Sequence, residues 1–334
     1  MNIMLFHHQI VAEIGSVHDG SIGNAKKLIE LAAKCGAGIV KFQTHIAESE
    51  TLREAPSPSY FTGEPRYEYF ERTGFNLEQW RELAEHCRQH SVKFLSSPFS
   101  EAAVDLLEQV GVQAYKVASG EVSNIPLLER IAETGKPVLL SSGMSCWDEL
   151  DQAVEILGSN CELVVMQCTS SYPCQPDEIG LNVVVEMRSR WGYEVGFSDH
   201  TLGMSASIAA AALGATVIEK HLTFSKDMYG SDAANAMEPT SFAQFCAEMK
   251  DVWCALEHPV DKQDVSRYRD MKRIFEKSVV AAKPIKKGKV IDRDDLSFKK
   301  PGSGIPAKEY KKICGAIAVN DIAANTLLSE KDFE

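Results

Sequence analysis

Residues 194–224 read EVGFSDHTLGMSASIAAAALGATVIEKHLTF. Two β-forming runs, VGFS and TVIE, flank an Ala-rich stretch of helical composition. Each run ends close to a histidine, His200 after the first and His221 after the second. Strand, helix, strand in so short a span is a βαβ unit, and its two strands are parallel. Neighbouring strands lie about 4.8 Å apart, so imidazoles at the exits of both can converge on one point.

The same unit recurs upstream. Strand candidates are IVAEI (10–14), IVKFQ (39–43), VKFLS (92–96), AYKVA (114–118), PVLLS (137–141), ELVVMQ (162–167), EVGFS (194–198) and TVIEKH (216–221). Helical stretches such as NAKKLIELAAKCG (24–36) and SEAAVDLLEQVG (100–111) separate them, several ending in the glycine expected of a helix C-cap. Eight βα units in succession predict an α/β fold with parallel strands, closed as a (β/α)8 TIM barrel. A doubly wound open sheet is the alternative, but no GxGxxG turn follows the first strand. The domain reading is a barrel over 1–257, a polar linker over 258–275 and a small β-rich module over 276–334. The second connection, from Thr44 to about Asn76, is long enough to be a binding loop or lid.

The chain has 334 residues, 44% hydrophobic and 25% charged, as in ordinary globular proteins. Its start, MNIMLFHHQIVAEIG, lacks the pattern of a signal peptide, and no run approaches the roughly 20 apolar residues of a membrane helix. Nine scattered cysteines without a CxxC pair read as reduced thiols, so the cytoplasm is the expected compartment. A net charge of −12 argues against nucleic acid as a partner. The stretch from Lys272 to Lys312 is nonetheless basic, either a solvated face or a surface over a site for an anion.

In a barrel, function gathers at the C-terminal ends of the strands. Here those exits are polar throughout: Glu13, Lys41 and Gln43, Ser96-Ser97, Lys116 and Ser119-Gly120-Glu121, Ser141-Ser142, Cys168 to Tyr172, Ser198-Asp199-His200, and Glu219-Lys220-His221. Two neutral imidazoles suit a divalent transition ion in an open, Lewis-acid site, or each hydrogen-bonds separately at the rim. A lysine inside a β-run is costly unless it meets an anion. Lys41 and Lys116 therefore bind a substrate anion, or pair with Glu13 or Glu121; a Schiff-base lysine is a further option. With the hydroxyls of Ser97, Ser119, Ser142 and Ser198, the rim makes a receptor for phosphate and carboxylate without a P-loop.

The motifs AEIGSVHDG, AxxxGAGIVKFQT, FLSSPFS, YKVASGE, LLSSGM, CTSSYP, GFSDHTLG, GATVIEKHLT and GSDAANAMEP run almost end to end. In that order the sequence resembles the sialic acid synthase family, which includes the N-acetylneuraminate, legionaminate and pseudaminate synthases. PIKKGKVIDRDDLSFKKPGSGI resembles the family's antifreeze-like (SAF) domain. The resemblance implies a C–C bond-forming transferase that condenses phosphoenolpyruvate with the open-chain aldehyde of an N-acylated hexosamine, releasing phosphate. It implies that His200 and His221 hold a divalent ion, Mn²⁺ first and Mg²⁺ or Co²⁺ otherwise. Lys41, Ser97, Lys116, Ser119, Ser142 and Ser198 match positions that bind phosphoenolpyruvate. Glu121 matches a carboxylate that manages the attacking water. Glu13, Gln43, Tyr172 and Asp232 match positions at the sugar or the reacting centre. It further implies a domain-swapped homodimer whose C-terminal modules cover each other's sites.

Departures from the family pattern bear on the sugar. Val17-His18-Asp19-Gly20 stands where Asn-His-Asn/Asp-Gly is usual, and Gly230-Ser231-Asp232-Ala233 replaces a GPDH-like stretch. Ser170 stands where an Asn often contacts phosphate. Lys300, in KKPG, replaces an arginine common in N-acetylneuraminate synthases, and a lysine lacks the planar guanidinium fork. A related synthase using a different aldose is thus one alternative. A metallohydrolase would want His-x-His where this chain has Ala12-Glu13-Ile14, and a carbohydrate-binding protein would leave the charged rim without a role.

Overall fold

The computed structural model describes residues 5–56, 63–230 and 232–334. The chain divides into two compact units, Met1–His258 and Pro259–Glu334. The first is built on β1 (Gln9–Gly15), β2 (Ile39–Thr44), β3 (Lys93–Pro98), β4 (Tyr115–Val117), β5 (Val138–Ser141), β6 (Leu163–Cys168), β7 (Glu194–Asp199) and β8 (Ala215–His221). Their ladders are all parallel, in the order β3-β2-β1-β8-β7-β6-β5-β4. The ends of that order, β3 and β4, lie side by side, so the sheet closes into the (β/α)8 barrel and the open-sheet alternative falls.

The helices of this unit are α1 (Ile22–Cys35), α2 (Ala47–Glu50), α3 (Arg66–Thr73), α4 (Leu77–Gln89), α5 (Glu101–Val110), α6 (Ile125–Ala132), α7 (Trp147–Gly158), α8 (Leu181–Trp191), α9 (Ser205–Ala212) and α10 (Pro239–Glu257); all but α2 and α3 belong to the wall. Their construction follows from sequence, as α1 illustrates. Ser21 Oγ accepts from Asn24 N at 3.2 Å, and Ala25, Leu28, Ile29 and Ala32 form the buried stripe. Gly36 then ends the helix at φ 98°, a conformation that disfavours any side chain.

Period-two alternation splits the apolar material into two cores. Ile10, Ala12 and Ile14 face the helices, whereas Val11, Ile39, Leu95, Ala114, Leu139, Val164, Met166 and Val217 fill the barrel itself. The second connection is not one irregular loop, because α2 and α3 lie within it. Tyr67, Tyr69 and Phe70 of α3 bury themselves with Ala47 in a separate cluster. Residues 57–62 of that connection lie outside the described residues.

In the second unit, α11 (Arg269–Phe275) occupies part of the stretch that composition reads as linker. It is followed by the antiparallel pair β9 (Ser278–Ala281) and β10 (Leu296–Lys299). Val279, Ala281, Ile291, Leu296, Ile313 and Ala318 form a core of their own. Part of the basic run is satisfied inside this unit. Lys283 and Lys289 both meet the buried Asp295, and Lys286 Nζ lies 2.8 Å from Asp321 Oδ2. All nine cysteines are free, and among the described residues no helix is long and apolar enough to cross a membrane.

Candidate active site

Two residues beyond the last apolar barrel-filling position of seven strands, on the same inward face, the chain turns polar. Glu13 follows Val11, Lys41 follows Ile39, Ser97 follows Leu95, and Lys116 follows Ala114. Around the other half of the ring Ser141 follows Leu139, Cys168 follows Met166, and Glu219 follows Val217. These side chains floor a cavity of about 690 Å³ at the C-terminal mouth. Ser119, Glu121, Ser170, Tyr172, Ser198, His200, His221, Gln43 and Asp232 also line it.

The floor is a charge network. Lys41 Nζ sits 2.8 Å from Glu13 Oε2 and 3.6 Å from Glu219 Oε1. Lys116 Nζ donates to Ser141 Oγ at 2.7 Å and to Glu219 Oε1 at 3.3 Å. Ser198 Oγ donates to the same Glu219 oxygen at 3.1 Å, and Gln43 Nε2 to Glu13 Oε1 at 2.8 Å. Each lysine is thus paired with a carboxylate, and each also lines the cavity. The bridging carboxylate is Glu219; Glu121 instead accepts from Asn124 Nδ2 at 2.8 Å.

An ammonium has three donors, and each lysine has two partners among the described residues. Ser97 Oγ is buried without a hydrogen-bond partner among the described residues, a donor already placed for an anion's oxygen. Burial pushes the Glu219 carboxyl up, but Lys116 and Lys41 outweigh it and hold the pKa at about 2. Burial lowers the Lys116 ammonium, and Glu219 recovers only part of that shift. For Lys41 the balance reverses: Glu13 and Glu219 overcome burial and raise it. Burial, reinforced by the nearby Glu50, raises Glu121 against its bond from Asn124.

The two histidines converge as the strand spacing predicts. Their ring centroids are 5.5 Å apart, with Tyr172 stacked on His200 at 4.2 Å. On the outer face, Lys220 Nζ bridges Asp199 Oδ2 at 2.9 Å and the Thr201 carbonyl at 2.8 Å, locking the two strand exits together. His200 Nδ1 donates to the Thr169 carbonyl at 2.8 Å, so Nε2 is the ring nitrogen left for a ligand, while burial lowers the His200 pKa but the neighbouring Cys168 more than offsets it. His221 Nδ1 is buried without a hydrogen-bond partner among the described residues. Burial lowers the His221 pKa, which favours the neutral imidazole that a metal needs.

With metal–nitrogen bonds of about 2.0–2.1 Å, two ring centroids on one ion stand about 4.5–5.5 Å apart, so the pair fits a shared divalent ion. No third His, Cys, Asp or Glu is grouped with them among the described residues.

Ser142 lies outside the cavity lining: its hydroxyl donates to Gln167 Oε1 at 3.2 Å, while Ser141 lines the cavity. Lys300 belongs to the second unit, where its ammonium lies 4.9 Å over the Phe275 ring. Sequence reading assigned no role to Glu219, yet its place two residues before His221 puts both on one strand face. It also passed over His45, which is stacked between Phe70 at 3.7 Å and Phe99 at 4.1 Å and bonded to Glu50 at 2.7 Å. Nothing local in the sequence reveals that sandwich, since Phe70 and Phe99 come from separate elements.

Comparison with known proteins places this architecture. The chain is 35% identical to the N,N'-diacetyllegionaminic acid synthase of Campylobacter jejuni, over 96% of this chain and 98% of that protein. It is 32% identical to the pseudaminic acid synthase of Helicobacter pylori, over 99% of each. The crystal structure of the N-acetylneuraminic acid (sialic acid) synthetase of Leptospira borgpetersenii superposes with a TM-score of 0.70 at 28% identity, covering 80% of this chain and 90% of that one. The NeuB family model matches residues 28–261 and the SAF domain model residues 276–334. The chain belongs to the NeuB family and carries an SAF domain after its barrel.

Proposed function

We propose that this enzyme is a nonulosonic acid synthase condensing phosphoenolpyruvate with the open-chain aldehyde of an N-acylated hexosamine. N-acetylmannosamine and diacetamido-dideoxyhexoses are the candidate acceptors. The observation that carries the reading is the floor itself: two buried ammonium groups and a Ser97 hydroxyl unpartnered among the described residues, beside two convergent imidazoles. Lys41 and Lys116, with Ser97, Ser119, Ser170 and Ser198, hold the phosphate and carboxylate of phosphoenolpyruvate. Glu13, Gln43, Tyr172 and Asp232 face the sugar.

C3 of phosphoenolpyruvate forms the new bond to the aldehyde carbon. A water oxygen adds at C2 and gives its proton to Glu121. The C2–O bond to phosphate then breaks as the C2 hydroxyl gives up its remaining proton, leaving a 2-keto acid and inorganic phosphate, while the former aldehyde oxygen takes up one proton as the new hydroxyl. Raised by burial from its ordinary value, Glu121 is the better base for that proton. His200 and His221 hold a divalent ion, Mn²⁺ by preference and Mg²⁺ or Co²⁺ otherwise, whose chemistry when bound is polarisation of the aldehyde oxygen. No Schiff base is involved.

The test is phosphate release with phosphoenolpyruvate and a panel of N-acetylmannosamine, diacetamido-dideoxyhexoses and simple pentoses. Release with none of the amino sugars would overturn the reading. His221→Ala should abolish turnover with the fold intact; full activity in excess chelator would remove the metal.

Assembly belongs to the same proposal. Met271, Ile274 and Phe275 of α11 are each more than half exposed in the single chain, an apolar surface that a second copy would cover. In the resulting domain-swapped homodimer, each SAF unit lids the partner's cavity and Lys300 reaches the partner's sugar. Mixing His221→Ala chains with Lys300→Ala chains should then restore activity, because one mixed site is intact. A fully active monomer in light scattering would refute the swap.

A further inference from the structure

The barrel wall carries a second group of metal-ligating side chains, none of which lines the cavity. His86 and His90 stand one turn apart at the end of α4, with ring centroids 4.6 Å apart. Residues at i and i+4 share a helix face, and two histidines so spaced can chelate one ion. Glu30 on α1 places Oε1 3.3 Å from His86 Nε2. The edge of a tetrahedral site with bonds of about 2.0–2.1 Å is about 3.3–3.4 Å, the same separation. His86 Nε2 is buried and makes no hydrogen bond among the described residues, even beside that carboxylate. Lys27 Nζ holds Glu30 Oε2 at 2.7 Å, leaving Oε1 for the histidine side. One donor atom from each of the three residues lies within 4.8 Å of the others, and the exposed His90 ring can close the remainder by rotation.

We propose that Glu30, His86 and His90 form a transition-ion site separate from the one at the cavity. Two imidazoles and one carboxylate suit Zn²⁺, Co²⁺ or Ni²⁺; Mg²⁺ and Ca²⁺ prefer all-oxygen sets. The remaining coordination opens to solvent. A bound ion ties α1 to α4, the helix that closes the connection bringing His45, Arg66 and Phe70 to the cavity. The chain therefore binds one more equivalent of Zn²⁺ than its proposed chemistry requires, and the site stands even if that chemistry is reassigned.

The experiment is calorimetric titration of the full, chelator-stripped chain with ZnCl₂, in parallel with His86→Ala/His90→Ala and Glu30→Gln. The double variant should lose one equivalent of bound Zn²⁺ and the part of the Zn²⁺-induced rise in melting temperature that goes with it. Glu30→Gln should weaken that equivalent at least about tenfold, the lower end of what loss of even an outer-shell partner costs. Both variants should melt like the parent in chelator and keep its Mn²⁺-supported activity. Equal Zn²⁺ stoichiometry in parent and double variant would overturn the proposal. So would a fall in Mn²⁺-supported activity matching the loss of Zn²⁺ binding.

Discussion

Glu219→Gln is the sharpest probe of the cavity floor. In the parent, two ammonium groups face two carboxylates, so the floor of Lys41, Lys116, Glu13 and Glu219 is neutral. The substitution keeps shape and removes one negative charge, leaving Lys116 without its carboxylate. Breaking a buried pair by removing one partner costs about 3–5 kcal/mol. At roughly 2–4 °C per kcal/mol for a large domain, Tm should fall by about 10 °C. The same change leaves a net positive charge facing the ligand. At about 5 Å and an effective dielectric near 20, that charge is worth roughly 3 kcal/mol to a bound anion. Phosphoenolpyruvate should therefore raise the variant's Tm by more than it raises the parent's.

The pH dependence has a definite sign. Glu219 has a folded pKa of about 2, below its ordinary 4.5, so its contribution is fully present above pH 4.5 and lost as pH falls toward 2. The Tm gap between parent and variant should narrow over that interval. Scanning calorimetry with and without phosphoenolpyruvate reads all three effects. An unchanged Tm, or a phosphoenolpyruvate increment no larger than the parent's, would refute the floor as a receptor held ready by Glu219.

Three other outcomes are expected. Lys116→Ala should raise KM for phosphoenolpyruvate far more than for the sugar, by about 30-fold or more, since losing a charged contact costs about 2–5 kcal/mol; a borohydride-trapped adduct on Lys41 or Lys116 would instead establish a Schiff base. Glu121→Gln should lower kcat by about 10²–10⁴-fold. It should not lower Tm at pH 7, because a carboxyl whose folded pKa is raised opposes folding above its ordinary 4.5. In the second unit, burial pushes Asp295 up, but the Asp292 backbone N–H, Lys289 and Lys283 hold it at about 2. Asp295→Ala should leave the Asp292 N–H unpaired at a cost of about 1–3 kcal/mol and loosen residues 276–334 in hydrogen exchange, with the barrel unchanged.

The barrel was legible because its signal is repetitive: eight β-runs, each followed by a helical stretch, allow few other closures. The site was legible where residue types were out of place. Lys41 in IVKFQ and Lys116 in AYKVA are conspicuous inside strands, and His200 and His221 fall at consecutive exits. Glu219 drew no attention because a glutamate near a strand end is unremarkable until its inward neighbours are known. Ser141 and Ser142 could not be told apart by type; only strand register turns one toward the cavity and the other toward Gln167. The His45 sandwich depends on α3, whose placement rests on the burial of Tyr67, Tyr69 and Phe70 and not on any local motif.

A deeper regularity joins the fold to the chemistry. A (β/α)8 barrel must fill its interior, and here the lower layers do so with aliphatic side chains. Continuing that pattern one layer higher would make a more stable and inert protein, since buried ion pairs rarely outperform well-packed apolar groups. This chain instead places two carboxylates and two ammonium groups there, each paired with another, and leaves Ser97 Oγ and one Glu219 oxygen without hydrogen-bond partners among the described residues. Such a layer is tolerable without ligand because it is neutral, and receptive to an anion because each ammonium has three donors and two partners among the described residues. On the proposed function, the stability given up at the floor would be what keeps its ammonium groups ready for the substrate anion. For that reason Glu219, which touches both lysines and Ser198, is the residue whose replacement should change fold stability and anion binding together.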